Sequence, residues 1–225
     1  MILLATLLLL TYVAFSGLIL GQIYKGNTAY LLLYIICFLP FYSVFQLIIF
    51  NAFENTLLVN SIKYSKDFIF YSSFILFLLG SNKSILQRTF SFSTLDKLIL
   101  IFLMLVVVYL IIPLGEASFL SKLIYAKNIF LIGILYFFGR NSNFKIENWN
   151  LVLKTLIGLS LFAFLISFLE SLVGIHLHSF LGYSEYNLVI NDIDPQGNFG
   201  LNWSFEGQGA VPRYASVFAD PLEFS

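Results

Sequence analysis

Residues 2–20 read ILLATLLLLTYVAFSGLIL, an uncharged and almost uninterrupted apolar run. At about 1.5 Å per helical residue such a run is just long enough to cross a hydrocarbon core ~30 Å thick. Two readings exist for it, a first membrane helix or a cleaved secretory signal with Ala14-Phe15-Ser16 as a tolerable cleavage site. A signal carries basic residues ahead of its apolar stretch, and no Lys or Arg precedes Lys25, which favours an uncleaved helix.

Composition carries the same message along the whole chain. Of 225 residues, 59% are hydrophobic and 11% charged, with a mean hydropathy of +0.90, beyond what a soluble domain tolerates. Twelve basic and twelve acidic residues cancel, so there is no basic surface of the kind that holds nucleic acid. Cys37 is the only cysteine, which rules out an intrachain disulfide and a cysteine metal cluster.

Working outward from the first run, five further spans are expected, giving an all-α polytopic bundle of about six over residues 1–173. Ala29 to Phe53 is the second, interrupted and kinked by Pro40, with Gln46 and Asn51 on its far half for interhelical or interfacial hydrogen bonds. Glu54 to Asp67 is a polar connection, and Phe68 to Leu79 is a third span, short for a crossing unless flanking Tyr64 to Asn82 helps; the alternative, a re-entrant helix, would reverse the parity of everything after it. After a Ser/Thr-rich stretch from Ser81 to Lys97, Leu98 to Ile112 is the fourth span, stopped by Pro113 and Gly115. Leu120 to Gly139 is the fifth, with Lys122 and Lys127 as interfacial anchors or, second, as ligands for an anionic lipid. A polar loop from Asn141 to Asn150, holding the interfacial indole of Trp149, leads to the sixth, Leu151 to Val173, with Glu170 near its exit.

From Gly174 the texture changes to Asn, Asp, Gly, Pro and aromatic residues, so residues 174–225 form a second region outside the bilayer. Phe180, Tyr183, Tyr186, Phe199, Trp203 and Phe205 argue against a solvated linker. They suit either the C–H faces of sugars or packing among loops and headgroups. With an outside N-terminus, Lys25, Lys83, Arg88, Lys97, Arg140, Lys145 and Lys154 are cytoplasmic, against Lys63, Lys66, Lys122, Lys127 and Arg213 outside. That bias, seven to five, favours an extracytoplasmic position for the region after Gly174.

That region ends on VPRYASVFADPLEFS, residues 211–225. Arg213, then a small residue at 216, Phe218 and Pro221 resemble the Arg-x-x-small-x-Phe-x-x-Pro signature of the O-antigen ligase and O-antigen polymerase family of membrane glycosyltransferases. Ser216 stands where that family often has glycine, and Leu222 where it often has asparagine. The resemblance implies transfer of a polyprenol-diphosphate-linked glycan to an acceptor hydroxyl of a glycan or lipid at the extracytoplasmic face of a bacterial inner membrane. Arg213 is the residue it marks as catalytic and substrate-binding, with Phe218 and Pro221 as shape-giving neighbours. A guanidinium suits a pyrophosphate because it donates two parallel hydrogen bonds while neutralising charge on the leaving group. The family's general base, a histidine in a later external loop, has no candidate after Arg213, so this chain is expected to be an N-terminal part leading toward a further helix.

The remaining constellations point elsewhere. His176-x-His178 lacks a third ligand at a telling spacing and suits an interfacial pair. Asp192, Asp194, Glu206, Asp220 and Glu223 follow no calcium pattern, and Gly197, Gly200, Gly207 and Gly209 have neither the preceding strand nor the following lysine of a phosphate loop. The five acids lie near the same face, which leaves a divalent cation open, and no cofactor or metal ligand is assigned. A transporter or flippase component would need polar residues at mid-bilayer, in which these spans are poor. A non-catalytic assembly subunit is the other alternative, and it would be indifferent to substitution of Arg213.

Overall fold

The computed structural model describes residues 1–79, 93–112, 118–141, 146–194, 197, 201, 205–206 and 212–218. Its helices are α1 (Ile2–Tyr24), α2 (Ala29–Phe38), α3 (Tyr42–Phe53), α4 (Thr56–Leu79), α5 (Thr94–Ile111), α6 (Phe119–Asn141), α7 (Ile146–Val173), and the short α8 (Leu177–Phe180) and α9 (Tyr183–Tyr186), which runs into a π-helical turn at Asn187–Asn191. Among the described residues no strand forms, and Glu206 and Pro212 make an isolated antiparallel bridge.

Four of these helices are long and apolar enough to cross a membrane: Ile2–Tyr24, Thr94–Ile111, Phe119–Arg140 and Trp149–Val173. Their outward surfaces are large apolar side chains such as Leu3, Leu10, Met104, Ile111, Leu165 and Leu172, all more than half exposed. Water would reject that surface and hydrocarbon accepts it, which marks a membrane protein. The hydroxyls on α1 are satisfied locally, Thr6 and Thr11 donating to the carbonyls of Leu3 and Leu8.

A fifth candidate is the pair α2 and α3, bent by 58°. The break falls where Pro40 offers no backbone N–H to the helix and disfavours helical geometry before it, as its place in the sequence predicts. The third expected span is where the structure departs from expectation. Only Glu54 and Asn55 separate α3 from α4, so most of the supposed polar connection is helical. Glu54 closes α3 in a left-handed conformation, and the Asn55 side chain starts α4 by accepting the N–H groups of Leu57 and Leu58. Lys63, Lys66 and Asp67 then lie in every stretch of α4 long enough to cross, which keeps it out of the apolar set.

The chain divides into two compact units. The first joins residues 1–19, 30–66 and 145–225. Tyr12 stacks on Phe38 at 4.5 Å between centroids, Tyr34 stacks on Phe38 at 5.3 Å, and Phe45 meets Phe38 edge-on. The Tyr12 hydroxyl donates to Ser65 Oγ, whose own proton goes to the carbonyl of Ile62.

The second unit joins residues 20–29 and 67–144. Its frame is the antiparallel pair α5 and α6. At one end Ser93 and Asp96 form a capping box on α5, and the buried Asp96 also pairs with Arg140 and accepts from the Tyr136 hydroxyl at 2.9 Å. Midway the helices close on Gly133, where a Cβ would stand 2.7 Å from Leu103 Cδ1. At the other end Lys122 is buried; its Nζ donates to the carbonyl of Ile112 at 3.1 Å and lies 5.0 Å from the Tyr109 ring centre. Lys122 therefore satisfies the carbonyl end of α5. Lys127 pairs with Asp67 at 2.5 Å. Both lysines have protein partners where the sequence suggested anchors or lipid ligands.

Candidate functional site

The region after Gly174 folds onto its own unit as a set of short turns. Gly174 ends α7 with φ +70°, its N–H returning to the carbonyl of Glu170 at 2.8 Å. The chain then lays α8, α9 and the π turn against α3 and the first turns of α4. Asn51 Nδ2 donates to the carbonyl of Leu181 at 2.7 Å, the Tyr186 hydroxyl to Gln46 Oε1 at 2.9 Å, and Lys63 Nζ to Asn191 Oδ1 at 2.7 Å. The polar residues on the far half of the second span thus hold this region. Burial, with Tyr183 beside it, pushes the Tyr186 hydroxyl up to about 12, so it stays a donor to Gln46 at any physiological pH.

The aromatic residues divide by environment. Phe205 is fully buried with Leu201 and Ala215, and Tyr183 packs against them. Tyr186 is buried, whereas Phe180 is exposed. Tyr186 and Phe205 are therefore core and not sugar platforms; Phe199 and Trp203 lie outside the described residues. The two histidines join this aromatic cluster. His176 and His178 are buried within the protein, and both meet Phe205 edge-on, at 5.4 and 5.7 Å between ring centres. Tyr214 lies beside His176, and Ser43 Oγ is 3.4 Å from His178 Nε2. Burial holds the His176 imidazole below its ordinary pKa, so it is neutral at pH 7. Among the described residues no three His, Cys, Asp or Glu side chains gather as a metal site.

Arg213 enters this fold from the bridge between Glu206 and Pro212. Its N–H donates to the carbonyl of Phe205 at 2.8 Å, and its side chain is exposed. Next come Tyr214 against His176, buried Ala215, and Ser216 in the left-handed region at φ +56°. The N–H of Phe218 closes the turn on the carbonyl of Ala215 at 3.0 Å, and Phe218 is half-buried. Pro221 lies outside the described residues, as do Gly200, Gly207, Gly209, Asp220 and Glu223.

In the sequence Ser216 is only the small residue of the signature and Glu170 only an acid near the exit of its span; neither marks the bonds that fix this turn. Ser216 sends its N–H to Glu170 Oε2 at 3.0 Å and its hydroxyl to the carbonyl of Ala163 at 2.7 Å, about two turns before Glu170 along α7. The second oxygen of Glu170 accepts the N–H of Leu177, at the start of α8, at 2.7 Å. One buried carboxylate thereby joins the end of α7, the start of α8 and the Arg213 turn. The only sequence signal for it is an acidic residue placed inside an apolar span.

The chain matches no protein-family model, no curated protein and no solved structure.

Proposed function

We propose that this protein transfers a glycan from a polyprenol diphosphate to an acceptor hydroxyl, as a ligase or polymerase of cell-surface polysaccharide, with Arg213 holding the donor pyrophosphate. The observation that carries the reading is the conformation of Ser216. The resembled signature often has glycine at this position, and here the backbone is left-handed, which is what glycine is used for. Serine is accommodated through its two bonds to α7. An exposed guanidinium three residues earlier, on a turn fixed to the exit of a membrane helix, fits a phosphate at headgroup level. The chemistry needs a donor, a glycan or lipid acceptor and the surrounding lipid; the resemblance gives Phe218 and Pro221 the part of shape-giving neighbours.

The membrane arrangement belongs to the same proposal: six crossings in a bacterial inner membrane, with the N-terminus and the region after Gly174 extracytoplasmic. The bonds of Asn51 and Lys63 to that region argue for this parity. Those bonds support a reading in which the α3–α4 corner and the segment after α7 lie on one side, with an even number of crossings between them. On this reading, among the described residues, α5, α6 and α7 are three crossings, and α4, which its charges keep out of the apolar set, is proposed as the fourth.

The test is glycan transfer in membranes, with lipid-linked donor and acceptor supplied, comparing wild type with Arg213→Ala and Arg213→Lys at equal protein abundance. Transfer unaffected by Arg213→Ala would sink the proposal and favour an assembly subunit.

A further inference from the structure

We propose that Glu170 is a positioning residue for donor binding, setting the place of the Arg213 guanidinium through Ser216. The proposal rests on the reading of Arg213 as the pyrophosphate ligand. Its basis is geometric. Glu170 is buried, and its two oxygens each accept a backbone N–H, from Ser216 at 3.0 Å and from Leu177 at 2.7 Å. Ser216 is itself buried and strained at φ +56°, and Arg213 is held on the other side by its backbone bond to Phe205. Between that bond and the Glu170 bond lie only Tyr214 and Ala215, so the arc bearing the guanidinium has little freedom while both hold. A carboxylate is the only side-chain group that accepts from two separate donors with two equivalent oxygens. In Glu170→Gln one acceptor becomes a donor, and either Leu177 or Ser216 loses its partner.

The part of this positioning that holds the bound pyrophosphate alike in the ground and transition states shows, when lost, as a raised KM for donor. The experiment measures initial rates of transfer in membranes against concentration of polyprenol-diphosphate-linked glycan, for wild type, Glu170→Gln, Arg213→Ala and the double variant, normalised to protein level. A second arm places a nitroxide at Arg213→Cys in a Cys37→Ser background and compares its mobility with and without Glu170→Gln. The expected result is an apparent KM for donor raised about tenfold by Glu170→Gln with a much smaller change in kcat. Little further loss should follow when it is added to Arg213→Ala, and the nitroxide should be more mobile. If Arg213→Ala is impaired while Glu170→Gln has an unchanged KM, or if the nitroxide spectrum does not change, the positioning role is overturned and the reading of Arg213 stands. If Arg213→Ala transfers normally, that reading fails and this one with it.

Discussion

Ser216 donates its backbone N–H to the carboxylate of Glu170 at 3.0 Å, across 46 positions of sequence. The bond fastens a left-handed residue to the last turn of α7 and explains how a serine is tolerated where the backbone favours glycine. Ser216→Gly removes the strain of a Cβ in this conformation, worth about 1–2 kcal/mol, and loses the hydroxyl bond to Ala163, worth about 1 kcal/mol. Its unfolding temperature in detergent should stay within a few degrees of wild type. Ser216→Val keeps the strain, adds branching at Cβ and loses the same bond, so it should cost about 2–3 kcal/mol and a clear drop in that temperature.

Arg213→Ala removes charge-assisted hydrogen bonds to the proposed donor, each worth about 1.5–3 kcal/mol, so transfer should fall roughly ten- to hundredfold per bond. Arg213→Lys keeps the charge without the planar fork and should recover only part of it. Because the side chain is exposed, membrane abundance should remain near wild type in both variants, as checked by immunoblot beside the transfer assay.

Much of the fold was legible because lipid imposes simple rules. Long apolar runs gave the long helices, Pro40 gave the 58° bend, and Gly174 stands at the end of α7. The helical start of α4 was hidden by Lys63, Lys66 and Asp67, whose charges mask an apolar face that buries Val59, Ile62, Ile69 and Phe70. At the candidate site the sequence singled out Arg213 and said little about the surroundings of Glu170, His176 and His178. What decides those three is contact between distant segments, Ser216 for Glu170 and Phe205 for both imidazoles, and no local pattern encodes such pairings.

In the α5–α6 pair, Asp96 is fully buried with Arg140, Tyr136 and the Ser93 cap on its carboxylate. Asp96→Ala removes the carboxylate that the Arg140 guanidinium and the Tyr136 hydroxyl share. It should cost about 3 kcal/mol, the low end for a broken buried pair because Arg140 is partly exposed. Asp96→Asn keeps an acceptor for Tyr136 and should cost less. Thermal unfolding in detergent of both variants beside Arg140→Met checks the ranking, and equal stability of wild type and Asp96→Ala would remove this cluster from the structural account.

Acid should loosen the region after α7. The folded pKa of His176 is depressed by burial, so the unfolded chain takes up the proton first as pH falls. The stability contributed by the neutral ring is complete above its ordinary pKa of about 6.5 and is lost as pH drops through the lower folded value. Limited proteolysis between pH 7.5 and 5 should find increasing cleavage after Gly174 in wild type. His176→Phe, which keeps an aromatic ring beside Phe205 and Tyr214, should show a flatter profile. An identical acid response in the two proteins would assign the effect to another group.

The proposed parity can be read directly with topology reporters. Asn51 and Lys63 bond to Leu181 and Asn191, so reporters fused after Asn55 and after Tyr183 should register on one side, the extracytoplasmic side. A reporter fused after Asn143, between α6 and α7, should register in the cytoplasm. The decisive comparison is Asn55 with Asn143. If α4 crosses, three crossings among the described residues separate them and the reporters differ; if α4 lies along the surface, two do and the reporters agree. Agreement would leave α5, α6 and α7 as the crossings after α3, and the seven-to-five bias of basic residues would then no longer describe this membrane arrangement.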